Sequence, residues 1–216
     1  MKKISCFILL ALAFLTVFPA GGVVAGSPKD TVATAAAKGM AEFLQQIPHQ
    51  ETAKYGFKNV AEMSRTRLGT PIEIFTAQPD ALMSYSGTGF GLLLRTTGQW
   101  YVPVLVGPEY RALLTVTQMD DEWEVVGISG AELAVELQAF GRDLPALLTS
   151  AGAQQKEEPK FVRIFQAYSD FMYVPTAQEE YLVPFRSACS ALELTPDKLL
   201  APGMVIPLLK LEMDRS

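Results

Sequence analysis

The chain carries one histidine, His49, and two cysteines, Cys6 and Cys189. A cysteine nucleophile needs a base beside its sulfur to make the thiolate. His49 and Cys189 stand 140 residues apart, His49 just after a proline and Cys189 within Arg-Ser-Ala-Cys-Ser-Ala-Leu, where it reads as a small buried apolar residue. A zinc site of the usual kind takes several His or Cys ligands at fixed spacing, and the eight methionines are scattered as core-filling thioethers are. A serine hydrolase elbow reads Gly-x-Ser-x-Gly. Gly127-Ile128-Ser129-Gly130-Ala131 breaks that pattern at its last position, so Ser129 reads as a helix cap. Gly87-Thr88-Gly89-Phe90-Gly91 lacks the Gly-x-Gly-x-x-Gly spacing of a dinucleotide loop and reads as a tight turn that is free to make contacts. Asp120, Asp121, Glu122 and Glu124 sit on and beside a hairpin turn, where alternate side chains point apart rather than wrapping a cation. The residue pattern therefore names no catalytic residue, no metal ligand and no cofactor.

The richest set that remains is aromatic: Trp100, Tyr101, Tyr110 and Trp123. On an edge strand such residues form a binding surface for a peptide added as a further strand. The alternative is core and cross-strand packing.

The elements that position these residues follow from periodicity. Val32, Ala36, Met40, Phe43, Leu44 and Ile47 recur every three or four residues, one face of a helix with Asp30 as N-cap after a flexible stretch at 26–31. Asn59 and Glu62 make a capping box, which predicts a helix from Val60 to about Arg67 stopped by Leu68-Gly69-Thr70-Pro71, with Gly69 as a left-handed cap. Ile72, Ile74 and Thr76 alternate as a strand, and 79–91 reads as irregular. Trp100 to Val106 is nearly all apolar, and Pro103 predicts an edge strand or a bulge. Turns at Gly107-Pro108 and Asp120-Asp121 join it to two more strands, an antiparallel meander running to Ile128. A helix starting at Ser129 puts Leu133, Leu137, Phe140 and Leu144 on one face and ends at Pro145, or continues through Ala146 to Thr149 as a last turn.

Residues 150–159 read as a linker. Beyond it Phe161–Tyr168, Phe171–Val174 and Tyr181–Phe185 read as strands with a turn at Ser169-Asp170. Thr195-Pro196-Asp197 reads as a short-helix start and Met204–Leu211 as a last strand. The expected fold class is α+β: an antiparallel meander with packed helices over 26–155, and a β-rich subdomain at 156–216 that either stands alone or completes the first.

The start of the chain sets an address. Lys2 and Lys3, an apolar run from Ile4 to Phe18, a break at Pro19-Ala20-Gly21-Gly22 and Val23-Val24-Ala25 follow the order of a cleavable signal peptide, with cleavage after Ala25. The run is shorter than the roughly 20 residues of a bilayer span. Cleavage would leave 191 residues, enough for a sizeable core. It would also remove Cys6, Lys2 and Lys3, so that Cys189 stands alone and the net charge falls from −5 to −7. One cysteine forms no intramolecular disulfide, and an acidic chain without a basic stripe disfavours nucleic acid as a partner.

Two segments carry a resemblance. Tyr55-Gly56-Phe57 with Leu68-Gly69-Thr70-Pro71-Ile72, and Trp100-Tyr101-Val102-Pro103-Val104 with Trp123-Glu124-Val125-Val126, resemble uncharacterised exported bacterial proteins. The meander with its helix is similar to secreted α+β domains of cystatin or PepSY type. That likeness implies a helix packed across an antiparallel sheet, and peptidase inhibition as one function. The Gln-x-Val-x-Gly hairpin of cystatins does not occur here, so no inhibitory residue carries over. The expectation is an exported, non-enzymatic protein that binds a protein, a peptide or an envelope component outside the cytoplasm. A hydrolase built on scattered carboxylates and a peptidase inhibitor are the alternatives.

Overall fold

A computed structural model describes residues 27–87 and 89–215. The signal-peptide reading at 1–25 lies outside the described residues.

The chain is α+β, built on one eight-stranded, mostly antiparallel sheet. Its strands are β1 (Thr66–Leu68), β2 (Ile72–Ala77), β3 (Leu94–Val106), β4 (Glu109–Met119), β5 (Glu122–Ser129), β6 (Lys160–Ile164), β7 (Ser169–Pro175) and β8 (Glu180–Pro184). Their order is β5-β4-β3-β2-β6-β7-β8, with β1 beside the far end of β3. The predicted meander is β3-β4-β5. Asp120 and Asp121 both adopt positive φ, 48° and 69°, which is the two-residue hairpin geometry that matches strand twist. β2 and β6 pair in parallel, Ile74 opposite Phe161 and Phe75 opposite Val162. The strands after the predicted linker thus extend the first sheet. The linker itself is tied down: the Ala177 amide donates to the Gln154 carbonyl, and the Lys156 amide to that of Pro175.

Helix α4 (Ala131–Ser150) crosses one face of the sheet. Leu137, Leu144 and Leu148 pack there on Ile74, Tyr101, Leu113, Phe161 and Phe185. The opposite face is covered in two parts. α1 (Pro28–Gln45) lies over Trp100, Val102, Leu114 and Val116. α6 (Pro202–Met213) lies over Val162, Phe171 and Leu182, with the short helix α3 (Pro79–Met83) beside it. α5 (Arg186–Leu192) bridges the two layers, with Ala188 and Leu192 in the second core and Phe185, at its N-cap, in the first.

Several expectations change. β3 is a central strand, not an edge, because β2 and β1 pair along one side of it and β4 along the other, while the expected bulge has a counterpart in the β3–β4 register shift between Val104 and Leu105. Pro103 is tolerated there because its carbonyl accepts from the Gly69 amide, so its missing N–H faces the same gap between β1 and β2. Gly69 closes that gap instead of capping a helix, and its helix α2 is only Val60–Met63. α1 starts earlier than predicted: Ser27 is the N-cap, and its hydroxyl donates to Asp30 at 2.7 Å. α4 runs through Pro145. Its N-cap is Gly130 at φ 71°, with no side-chain cap, so Ser129 ends β5 instead.

Ser169 and Asp170 begin β7, and the turn is the 3-10 segment Phe165–Ala167. No helix starts at Thr195. Met204–Leu211 is helical, not a strand, because Val205, Ile206 and Leu209 at one-and-four spacing meet the sheet on a single side.

Candidate functional site

A cleft of about 680 Å³ opens on the α4 face. Strands β3, β6 and β7 form its floor. The first turn of α4 (Gly130–Leu133) and α5 (Arg186, Ser187, Ser190) form its walls. Register explains why polar groups gather there. Arg163 of β6 lies directly opposite Asp170 of β7, on the same face as Phe161 and Met172. Both residues of the pair line the cleft.

The floor is an ordered hydrogen-bond set. Arg163 Nε and Nη2 donate to the two Asp170 oxygens at 2.6 and 2.8 Å, a bidentate pair. Arg163 Nη1 donates to Tyr101 Oη at 2.6 Å. The Asp170 amide donates to Ser187 Oγ, and the Phe185 amide to the Asp170 carbonyl, which fixes α5 to β7. The guanidinium also lies 5.6 Å from the Tyr101 ring and 5.8 Å from the Phe161 ring. Burial and the Asp170 carboxylate push the Tyr101 hydroxyl up, the nearby Arg163 only partly opposing it, so the phenol stays neutral. Burial works against the Arg163 cation, but the Asp170 carboxylate outweighs it and holds the guanidinium charged.

At the rim, Arg186 bonds Glu132 at 3.0 Å and Glu136 at 3.5 Å. Glu136 also receives the Arg186 amide at 3.1 Å.

The carboxylates of this site are thus ion-paired, while donors are left over. A guanidinium has five N–H groups, and the contacts above use three. One hydrogen on each terminal nitrogen of Arg163 and the phenolic hydrogen of Tyr101 have no acceptor among the described residues. The α4 N-terminus adds free amides and the positive end of a 20-residue helix dipole.

The four aromatics marked in the sequence do not form one surface. Trp100 and Trp123 meet edge-to-face under α1, centroids 6.5 Å apart. Tyr101 and Tyr110 lie on the α4 face, and only Tyr101 reaches the cleft. All four are core or half-buried packing, and among them only Trp123 lies on an edge strand. Arg163 and Asp170, which carry the site, were missed. Asp170 reads locally as a turn residue but lies in β7, and the alternation Phe161, Arg163 against Val162, Ile164 is the signal that Arg163 shares a buried face.

The other candidates also take their places. His49 is exposed in a 3-10 turn beside α1 and α2, whereas Cys189 lines an apolar groove between α4 and α5. Burial, with Glu136 and Asp197 nearby, pushes the Cys189 thiol up. The glycine-rich loop is anchored from within. Glu180 accepts the Phe90 amide at 2.7 Å, the Gly91 amide at 3.0 Å and the Tyr173 hydroxyl at 2.7 Å. A Cβ at Gly91 would lie 2.3 Å from Tyr173 Oη, which is why glycine stands there. Among the described residues no group of three or more His, Cys, Asp or Glu is placed to hold a metal ion, and no helix is long and apolar enough to cross a membrane. No family model, curated protein or solved structure matches the chain.

Proposed function

We propose that this is an exported, non-enzymatic binding protein that recognises a protein, peptide or envelope component through the cleft between α4, α5 and the sheet. One observation carries the reading: an internally hydrogen-bonded floor that lines the cleft, its carboxylate ion-paired and three of its donor hydrogens without an acceptor among the described residues. Such a floor keeps its geometry with or without a ligand, so binding requires little ordering. Export rests on the N-terminal residue pattern. We read α4 across the meander as akin to a cystatin or PepSY arrangement, widened by β6–β8, and that likeness is a matter of layers alone.

The test is capture from an envelope fraction with the wild-type protein and a Ser190→Trp variant. Ser190 is exposed on the cleft wall, so the indole fills the opening without entering the core. A partner held by the wild type and lost from the variant supports the reading. A partner retained equally by both, or repeated failure to recover any, overturns it.

A further inference from the structure

Resting on that binding reading, we infer that the cleft takes a carboxylate group of its ligand, seated on Arg163, Tyr101 and the start of α4.

Every carboxylate that lines the cleft already has partners: Asp170 has Arg163, and Glu132 and Glu136 have Arg186. Three donor hydrogens remain open on the floor, two from a cation and one from a phenol. A ligand that presents acceptor oxygens there satisfies all three. A neutral carbonyl would use them, but three features favour an anion. Arg163 is a fixed cation held in place by its own ion pair. The neutral Tyr101 hydroxyl is a donor at every ordinary pH. The first turn of α4 has no side-chain cap, so its amides and dipole face the same volume. A planar carboxylate accepts two donors in parallel, which suits a guanidinium edge. Tyr101 and Arg163 are stiff, because the ring packs edge-to-face on Phe161 at 5.5 Å and the guanidinium lies over both rings.

A carboxylate can come from a peptide C-terminus or from a small free acid, and the experiment separates them. The intact mature protein, labelled with 15N, is titrated with N-acetyl-trialanine, with its C-terminal amide, and with acetate, following the Arg163 Nε–H and Ala131 amide signals. The expected result is saturable shifts with the free-acid peptide and affinity at least tenfold weaker with the amide, the loss of one charge-assisted contact set. Acetate matching the peptide would assign a small free acid as the ligand, and acetate much weaker would assign a peptide terminus. Tyr101→Phe keeps the packed ring and removes one donor, so it should weaken the free acid several-fold and leave the amide unchanged. Equal binding of acid and amide, or shifts with neither acid nor acetate, overturns the carboxylate. The envelope capture described above still decides the binding reading independently.

Discussion

Replacing Asp170 by Asn tests the central pair directly. The two side chains are nearly isosteric, so the cavity is unchanged and only the charge and one acceptor pattern are lost. Asp170 is 9 % exposed at its side chain and Arg163 29 %. The substitution leaves a largely buried guanidinium without its counter-charge. Removing one partner of a buried pair costs about 3–5 kcal/mol. Partial exposure of Arg163 lets water recover some of this, so the expected loss is about 2–3 kcal/mol. For a chain of this size that lowers Tm by roughly 4–12 °C. Urea unfolding followed by circular dichroism, with the same slope for both proteins, is the assay. The double replacement Arg163→Met with Asp170→Leu removes both charges together and should be more stable than Asp170→Asn alone. A loss under about 0.5 kcal/mol for the single variant, or a double variant no better than the single, would refute the claim that the pair is desolvated and coupled.

Three further outcomes follow from other sites. Gly56 has φ 84°, and a Cβ there would sit 2.0 Å from the Arg111 carbonyl oxygen. Gly56→Ala should therefore cost at least about 3 kcal/mol in urea unfolding, strain and clash together. Gly91→Ala should push Tyr173 off Glu180 and free the glycine-rich loop, seen as faster proteolytic cutting at 84–91 with the core still folded. The Lys58 backbone amide, with help from Arg111, holds the Glu62 carboxyl below its ordinary value against the opposing effect of burial. A depressed folded value means stability that is present above the ordinary Glu range and lost as pH falls through the folded one. Glu62→Gln should flatten that acid limb of the unfolding free energy and leave the dependence at pH 6–8 unaltered.

The legibility of the fold tracks how local each signal is. The meander, its two turns and the apolar faces of α1 and α4 were readable because period and turn chemistry act within a few residues. The second half was misread where tertiary burial overrides a local cue. Met204–Leu211 is apolar enough for either strand or helix, and only its contact with Val162 and Phe171 selects the helix. Pro145 reads locally as a helix end and Pro103 as the mark of an edge or a bulge. Pro145 costs one intrahelical bond at a place where Leu144 and Leu148 still gain the core, and Pro103 faces a gap in its neighbour.

The candidate site shows the same division. By itself the sequence determined the acidic balance, the lone histidine, the export pattern and the α+β class, since these depend on composition and on short-range order. It held Arg163 and Asp170 seven residues apart with no mark that they meet. The β6–β7 register puts them opposite one another, and the parallel join of β6 to β2 brings Tyr101, 62 positions upstream of Arg163, within hydrogen-bond reach of the guanidinium. That meeting is a property of which strands become neighbours, and strand order is decided by the burial of both sheet faces together, a long-range energy that no local window of residues contains.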